Sequence, residues 1–178
     1  MTRKKDDCPD CCKHLSTGDA RPARCSVTEM TQMVLPNDAN IFGNALGGMV
    51  MHWVDLAAAI AARRFCGTGV VTASIDSLSF LNPIPVGQVA RLLAKVTWCG
   101  RTSMEVRVDV EAEDLDAREV RPTSVAYLTF VSLDDEGRPT PVPRLLLETD
   151  EERAEHDAAE KRREARLKLR EQTQPGQG

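Results

Sequence analysis

The chain has 178 residues, 42% of them hydrophobic, enough for one domain with a genuine core. Aromatic residues make up only 4%, so that core has to be aliphatic. The net charge of −4 gives no basic footprint for a nucleic acid. The longest apolar stretch, residues 47–62, contains His52 and Asp55 and is too short to span a bilayer.

The first 25 residues differ from the rest. They are polar and crowd Cys8, Cys11, Cys12, His14 and Cys25 together without an apolar segment. That is not a secretory signal, so the cytoplasm is the expected compartment and the six cysteines are expected as reduced thiols. Cys8 and Cys11 form a CxxC pair, but no second pair stands at zinc-site spacing. The segment reads as a Cys-rich, flexible leader, and no metal is expected.

Residues 26–35 read as a strand stopped by Pro36, followed by a turn-rich loop through Asn37, Asp38, Asn40, Gly43 and Asn44. Gly47 and Gly48 open a long helix rich in alanine that runs to about Cys66 and ends at Gly67. It is apolar nearly all round, which predicts burial. Strands follow over residues 70–80, 88–98, 102–113 and 122–133. The third of these alternates strictly, from Met104 and Glu105 to Ala112 and Glu113, and predicts one wet face. From residue 148 the chain is a charged helix, expected as exposed or frayed. One long helix and about five antiparallel strands give an α+β domain over residues 26–147, with the leader before it and residues 148–178 as helix and tail.

Three features point to chemistry. Asp55 lies mid-helix among Trp53, Val54, Leu56 and alanines, where a carboxylate is costly unless it is paired or faces a cleft. Gly47 and Gly48 at a helix N-terminus offer free backbone N–H groups to a ligand carbonyl. Close helix–sheet packing is the alternative explanation for them. Asn40 sits in the loop just before that helix. Asn44 fits the N-cap by position, which leaves Asn40 for a substrate or a water.

These segments, from Pro36 through Asn40 to Gly48, then Trp53 to Asp55, Val71 to Phe80, and Gly100 to Met104, resemble the hotdog-fold acyl-CoA thioesterases, in particular the acyl-CoA hydrolases of the brain-type cytosolic and bacterial YciA-type group. The likeness covers roughly residues 26–170. It implies a single hotdog, a curved antiparallel sheet wrapped around a central helix, paired as a homodimer and commonly as a trimer of dimers. It also implies Asn40 and Asp55 as catalytic positions. On this reading the reaction is hydrolysis of acyl-CoA to free acid and coenzyme A. Gly48, helped by Gly47, polarises the carbonyl, and Asp55 acts as base or nucleophile. Thr72, Ser74, Arg63, Arg64, Arg101, Thr102 and Ser103 are the candidates for holding coenzyme A, and no separate cofactor is expected. Met49, Met51, Trp53 and Phe80 are expected to set the depth of an acyl tunnel. The alternatives are a hotdog hydroxyacyl-thioester dehydratase, which normally needs a His that the loop lacks, and a non-catalytic acyl-CoA-binding module, in which Asp55 has no purpose. Gly48 and Asp55 stand about 10 Å apart along one helix, so a shared site between two subunits is expected.

Overall fold

The computed structural model describes residues 20–173. A five-stranded antiparallel sheet is built from β2 (Thr28–Met33), β3 (Gly69–Phe80), β4 (Val89–Cys99), β5 (Ser103–Asp114) and β6 (Glu119–Leu133). Its order is β2-β4-β5-β6-β3. A two-residue β1 (Arg21–Pro22) pairs in parallel with β7 (Leu145–Leu146). Arg21 and Pro22, inside the segment read as leader, are therefore part of the packed domain, and Ala23 and Cys25 are buried. Cys8, Cys11, Cys12 and His14 lie outside the described residues. Cys25 is disulfide-bonded, so the expectation of a reduced thiol is corrected there. Compartment sets a prior on cysteine state, and it does not decide the pairing of a particular thiol.

Helix α1 (Gly47–Cys66) lies across one face of the sheet. Ala57, Ala58, Ala61 and Ala62 are fully buried there. Their small side chains let the helix backbone approach Leu92, Met104, Val106 and Phe130 closely. The helix ends at Gly67, whose φ of 79° is the left-handed value that a C-cap requires. Arg21 donates from Nη1 to the Phe65 carbonyl at 2.5 Å, satisfying one of the last-turn acceptors. Burial of α1 on all sides does not hold. Met51, Leu56 and Ile60 are each about 42% exposed, because a five-stranded sheet covers only one side of a helix.

The other face of the sheet carries the charged helix α2 (Asp150–Thr173). The wet face expected for β5 is thus covered at Glu105 and Arg107, while the Asp109 and Glu113 side chains further along stay 37% and 32% exposed. Arg162 of α2 donates to Glu105 at 2.8 Å and to Glu155 at 2.7 Å, and its guanidinium lies 3.7 Å from the Tyr127 ring centroid. Arg107 pairs with Glu155 at 2.7 Å. Glu105 is only 1% exposed, and Ala159 of α2 is equally buried. The helix is docked rather than frayed, because its charges find partners on β5 as well as along its own axis. Burial raises the Glu155 carboxyl, but hydrogen bonds from Arg162 and Arg107 outweigh it and hold the group below its ordinary value. Among the described residues no helix is long and apolar enough to cross a membrane.

Candidate active site

The loop before α1 is organised by Asn40. Its Oδ1 accepts the backbone N–H groups of Phe42 and Asn44 at 2.9 and 3.2 Å. Turn chemistry therefore falls to Asn40. The expected cap by Asn44 is absent, since the N-cap of α1 is Leu46 with no side-chain hydrogen bond. Asn40 keeps its Nδ2 without a partner among the described residues, as a donor held on a fixed side chain.

Leu46 accepts from the N–H groups of both Met49 and Val50, at 2.9 and 3.0 Å. The N–H groups of Gly47 and Gly48, ahead of them, have no helical acceptor to reach. The two glycines are not equivalent. A Cβ on Gly47 would stand 3.3 Å from the Phe80 ring, so packing accounts for that glycine. A Cβ on Gly48 would meet nothing within 4 Å. Gly48 is exposed, and what its missing side chain permits is approach from outside.

Asn40, Gly47, Val50, Phe80, Ile84 and Thr123 border a cleft of about 310 Å³ whose walls are mainly apolar. Among the residues expected to set a tunnel, only Phe80 lines it. Trp53 is buried in the core and Met51 faces outward from α1. Val50 and Ile84 were not singled out by the sequence, because an aliphatic wall looks like any other core position.

Asp55 does not border that cleft. It is half-buried, two turns further along α1, and its Oδ1 accepts from Thr72 Oγ1 of β3 at 2.7 Å. Thr72 thus fixes one carboxylate oxygen and leaves the other open. Neither free thiol among the described residues, Cys66 or Cys99, is suited to act as nucleophile. Cys66 is buried, and burial, with Cys66 close by, pushes the Cys99 thiol well above its ordinary range. Among the described residues no group of three or more His, Cys, Asp or Glu side chains is placed to hold a metal ion.

A thioesterase superfamily model matches residues 42–117. A Bacillus subtilis protein named as an uncharacterized acyl-CoA thioester hydrolase, YkhA, is 40% identical over 148 residues, covering 83% of this chain and 86% of its own. The chain belongs to the thioesterase superfamily. A crystal structure of an apo, hexameric acyl-CoA thioesterase superposes on this thioesterase-superfamily chain with a TM-score of 0.82 at 40% identity, covering 85% of this chain and 97% of the other. The Staphylococcus aureus acyl-CoA hydrolase, solved with butyryl coenzyme A, coenzyme A and coenzyme A disulfide, gives 0.81 at 37% identity, covering 86% and 94%. Variants of the latter were solved with alanine in place of an asparagine, an aspartate and a threonine. The intervals between those three positions are fifteen and seventeen residues, the same as between Asn40, Asp55 and Thr72.

The remaining candidates divide. Arg64 donates to the Val27 carbonyl at 3.0 Å and to Thr28 Oγ1 at 2.9 Å, tying α1 to β2. Ser74 sits on the α2 side of the sheet and donates to Asp76 at 2.9 Å. Both are engaged in structure. Arg63 is exposed at the end of α1, and Arg101, Thr102 and Ser103 form the β4–β5 turn, where the Gly100 N–H donates to the Ser103 carbonyl at 2.8 Å. Arg63 stands about 22 Å from Gly48 along the helix.

Proposed function

We propose that this chain hydrolyses acyl-CoA thioesters at sites assembled from two subunits. The protein is a thioester hydrolase of the hotdog type. The observation that carries the mechanism is the Thr72–Asp55 hydrogen bond, on a helix whose other polar side chain on that face is His52, one turn earlier. A carboxylate oriented by a neutral hydroxyl and open on its other oxygen is equipped to take a proton from water or to attack a carbonyl carbon. Charge developing on the thioester oxygen is met by the Gly48 N–H, with the partial positive end of α1 behind it and Asn40 Nδ2 beside it. The acyl chain enters the apolar cleft between Val50, Phe80 and Ile84. No step calls for a metal or a separate cofactor.

The shared site follows from distance. Gly48 and Asp55 of one chain are about 10 Å apart along α1, too far to serve one carbonyl. A two-fold dimer with antiparallel helices brings Asp55 and Thr72 of one protomer to Asn40 and Gly48 of the other. Two features favour that contact. β3 is an edge strand with one side unpaired, and its Val71 and Ile75, like Leu56 and Ile60 of α1, are exposed. A trimer of such dimers is the assembly that suits the hexameric relative. Arg63, Arg101, Thr102 and Ser103 remain the groups for the coenzyme A phosphates.

The test is thiol release from a series of short to long acyl-CoAs, with and without chelator. Asp55→Asn is expected to lower kcat about 10²-fold or more, since the amide keeps the shape and cannot take the proton. Hydration of an enoyl-CoA without thiol release would replace this reading by the dehydratase. A variant that keeps most of the wild-type kcat would remove Asp55 from the chemistry.

A further inference from the structure

Thr72, Ile75, Leu78 and Phe80 of β3 all lie on the α1 side of the sheet, at spacings that a regular strand forbids. Side chains alternate along a strand, so residues three apart belong on opposite faces. Thr72 and Ile75 are three apart, and so are Ile75 and Leu78. The register with β6 resolves the conflict. Thr72 stands opposite Phe130, Ile75 opposite Leu128, and Leu78 opposite Ala126, all three core residues beneath α1. Opposed residues share a face. Between Thr72 and Ser74, and again between Ile75 and Ser77, the register shifts by one. Ala73 and Asp76 are the unopposed residues, and each bulge reverses the alternation once.

The bulge at Asp76 therefore decides which way Thr72 points. Drawing Asp76 into the ladder would slip the preceding half of β3 by one residue. That slip would turn Thr72 to the α2 face, away from Asp55. Only one strand of the protomer, β6, resists it, because β3 is an edge.

The bulge is held from the α2 side. Asp76 Oδ1 accepts from Ser74 Oγ at 2.9 Å, and its Oδ2 accepts from Arg166 of α2. The two charged side chains are 14% and 22% exposed, so water screens the pair weakly. We infer that Arg166 and Asp76 form a clamp that locks the double-bulged register of β3 and so positions Thr72 on Asp55. Both are positioning residues for hydrolysis, ninety residues apart in sequence and on the far face of the sheet from the chemistry. The inference rests on the reading of Asp55 and Thr72 as active-site groups.

The experiment combines kinetics with hydrogen exchange on the full chain. Arg166→Ala is expected to lower kcat about 10- to 100-fold, the size of a small misplacement of a reacting group. KM should stay near wild type, since neither clamp residue touches the substrate. Arg166→Lys should recover most of the loss, which separates the clamp from a folding defect. In a Thr72→Ala background, Arg166→Ala should remove nothing further, because both act through one hydrogen bond. Amides of residues 69–75 should exchange faster in Arg166→Ala, while those of the β4–β5 ladder stay protected. Losses that multiply in the double variant, or wild-type kcat in Arg166→Ala, would overturn the positioning role. Unchanged exchange in residues 69–75 would overturn the clamp itself. Wild-type kcat in Thr72→Ala would instead strike the active-site reading beneath it.

Discussion

Arg162→Met leaves Glu105 as a carboxylate with 2% of its side chain exposed and a single neutral donor, Thr97 Oγ1 at 3.0 Å. In the native protein Arg162 supplies three contacts to that carboxylate, the shortest 2.8 Å. Removing one partner of a buried pair costs about 3–5 kcal/mol. Arg162 is itself 24% exposed, so water enters when it is gone, and the lower figure of about 3 kcal/mol applies. Methionine keeps part of the contact with Tyr127 and limits the loss of packing there. For a domain of this size that is a fall in Tm of about 6–12 °C, at fixed protein concentration. Urea denaturation of Arg162→Met beside Glu105→Gln/Arg162→Met measures it. The double variant should regain about half of the loss, since no buried charge remains. A loss below about 1 kcal/mol in Arg162→Met would place the pair with ordinary surface salt bridges and refute the argument.

Asn40→Ala and Asp55→Ala, each inactive, should regain about a quarter of wild-type activity when unfolded and refolded together, because random pairing makes half the dimers mixed and each holds one intact site. A mixture as inactive as its parents, with subunit exchange demonstrated, rules out the shared site. Gly48→Ala should raise stability by a few tenths of a kcal/mol, alanine being the better helix former in open space, and still lower kcat/KM by closing the approach to the backbone. Gains in both quantities would free Gly48 of any role in binding. Glu155 is held below its ordinary value of 4.5, so its pairs with Arg107 and Arg162 stabilise the docked helix above about pH 4.5 and are lost as pH falls below it. Limited proteolysis at stepwise lower pH should therefore cut α2 before the sheet, and simultaneous loss of both would contradict this.

The helix and all five strands of the main sheet were legible in the sequence because hydrophobic period and turn residues agree there, while the two-residue β1 and β7 were not. Asp55 stood out because a carboxylate in an alanine-rich helix is expensive, and Asn40 because the loop around it is dense in turn formers. The charged pairs escaped for one reason. A charge on a polar strand face or a surface helix looks solvated whether it meets water or another charge. Glu105, Asp76 and Arg166 are of that kind, and their pairing is settled only by bringing β3, β5 and α2 together. The exposure of Met51, Leu56 and Ile60 escaped for the converse reason. Apolar composition announces burial without naming what does the burying.

The ion pair between Asp76 and Arg166 also has a place in time. The ribosome makes the chain from its N-terminus at about 5–20 residues per second. The ninety residues between the two partners thus separate their synthesis by roughly 5–18 s. Strand pairing and hairpin closure are faster than that by orders of magnitude. β6 is complete at Leu133, 33 residues before Arg166, so β3 has roughly 2–7 s to pair with β6 before the arginine is made, and α2 arrives to hold a register that strand pairing has already set.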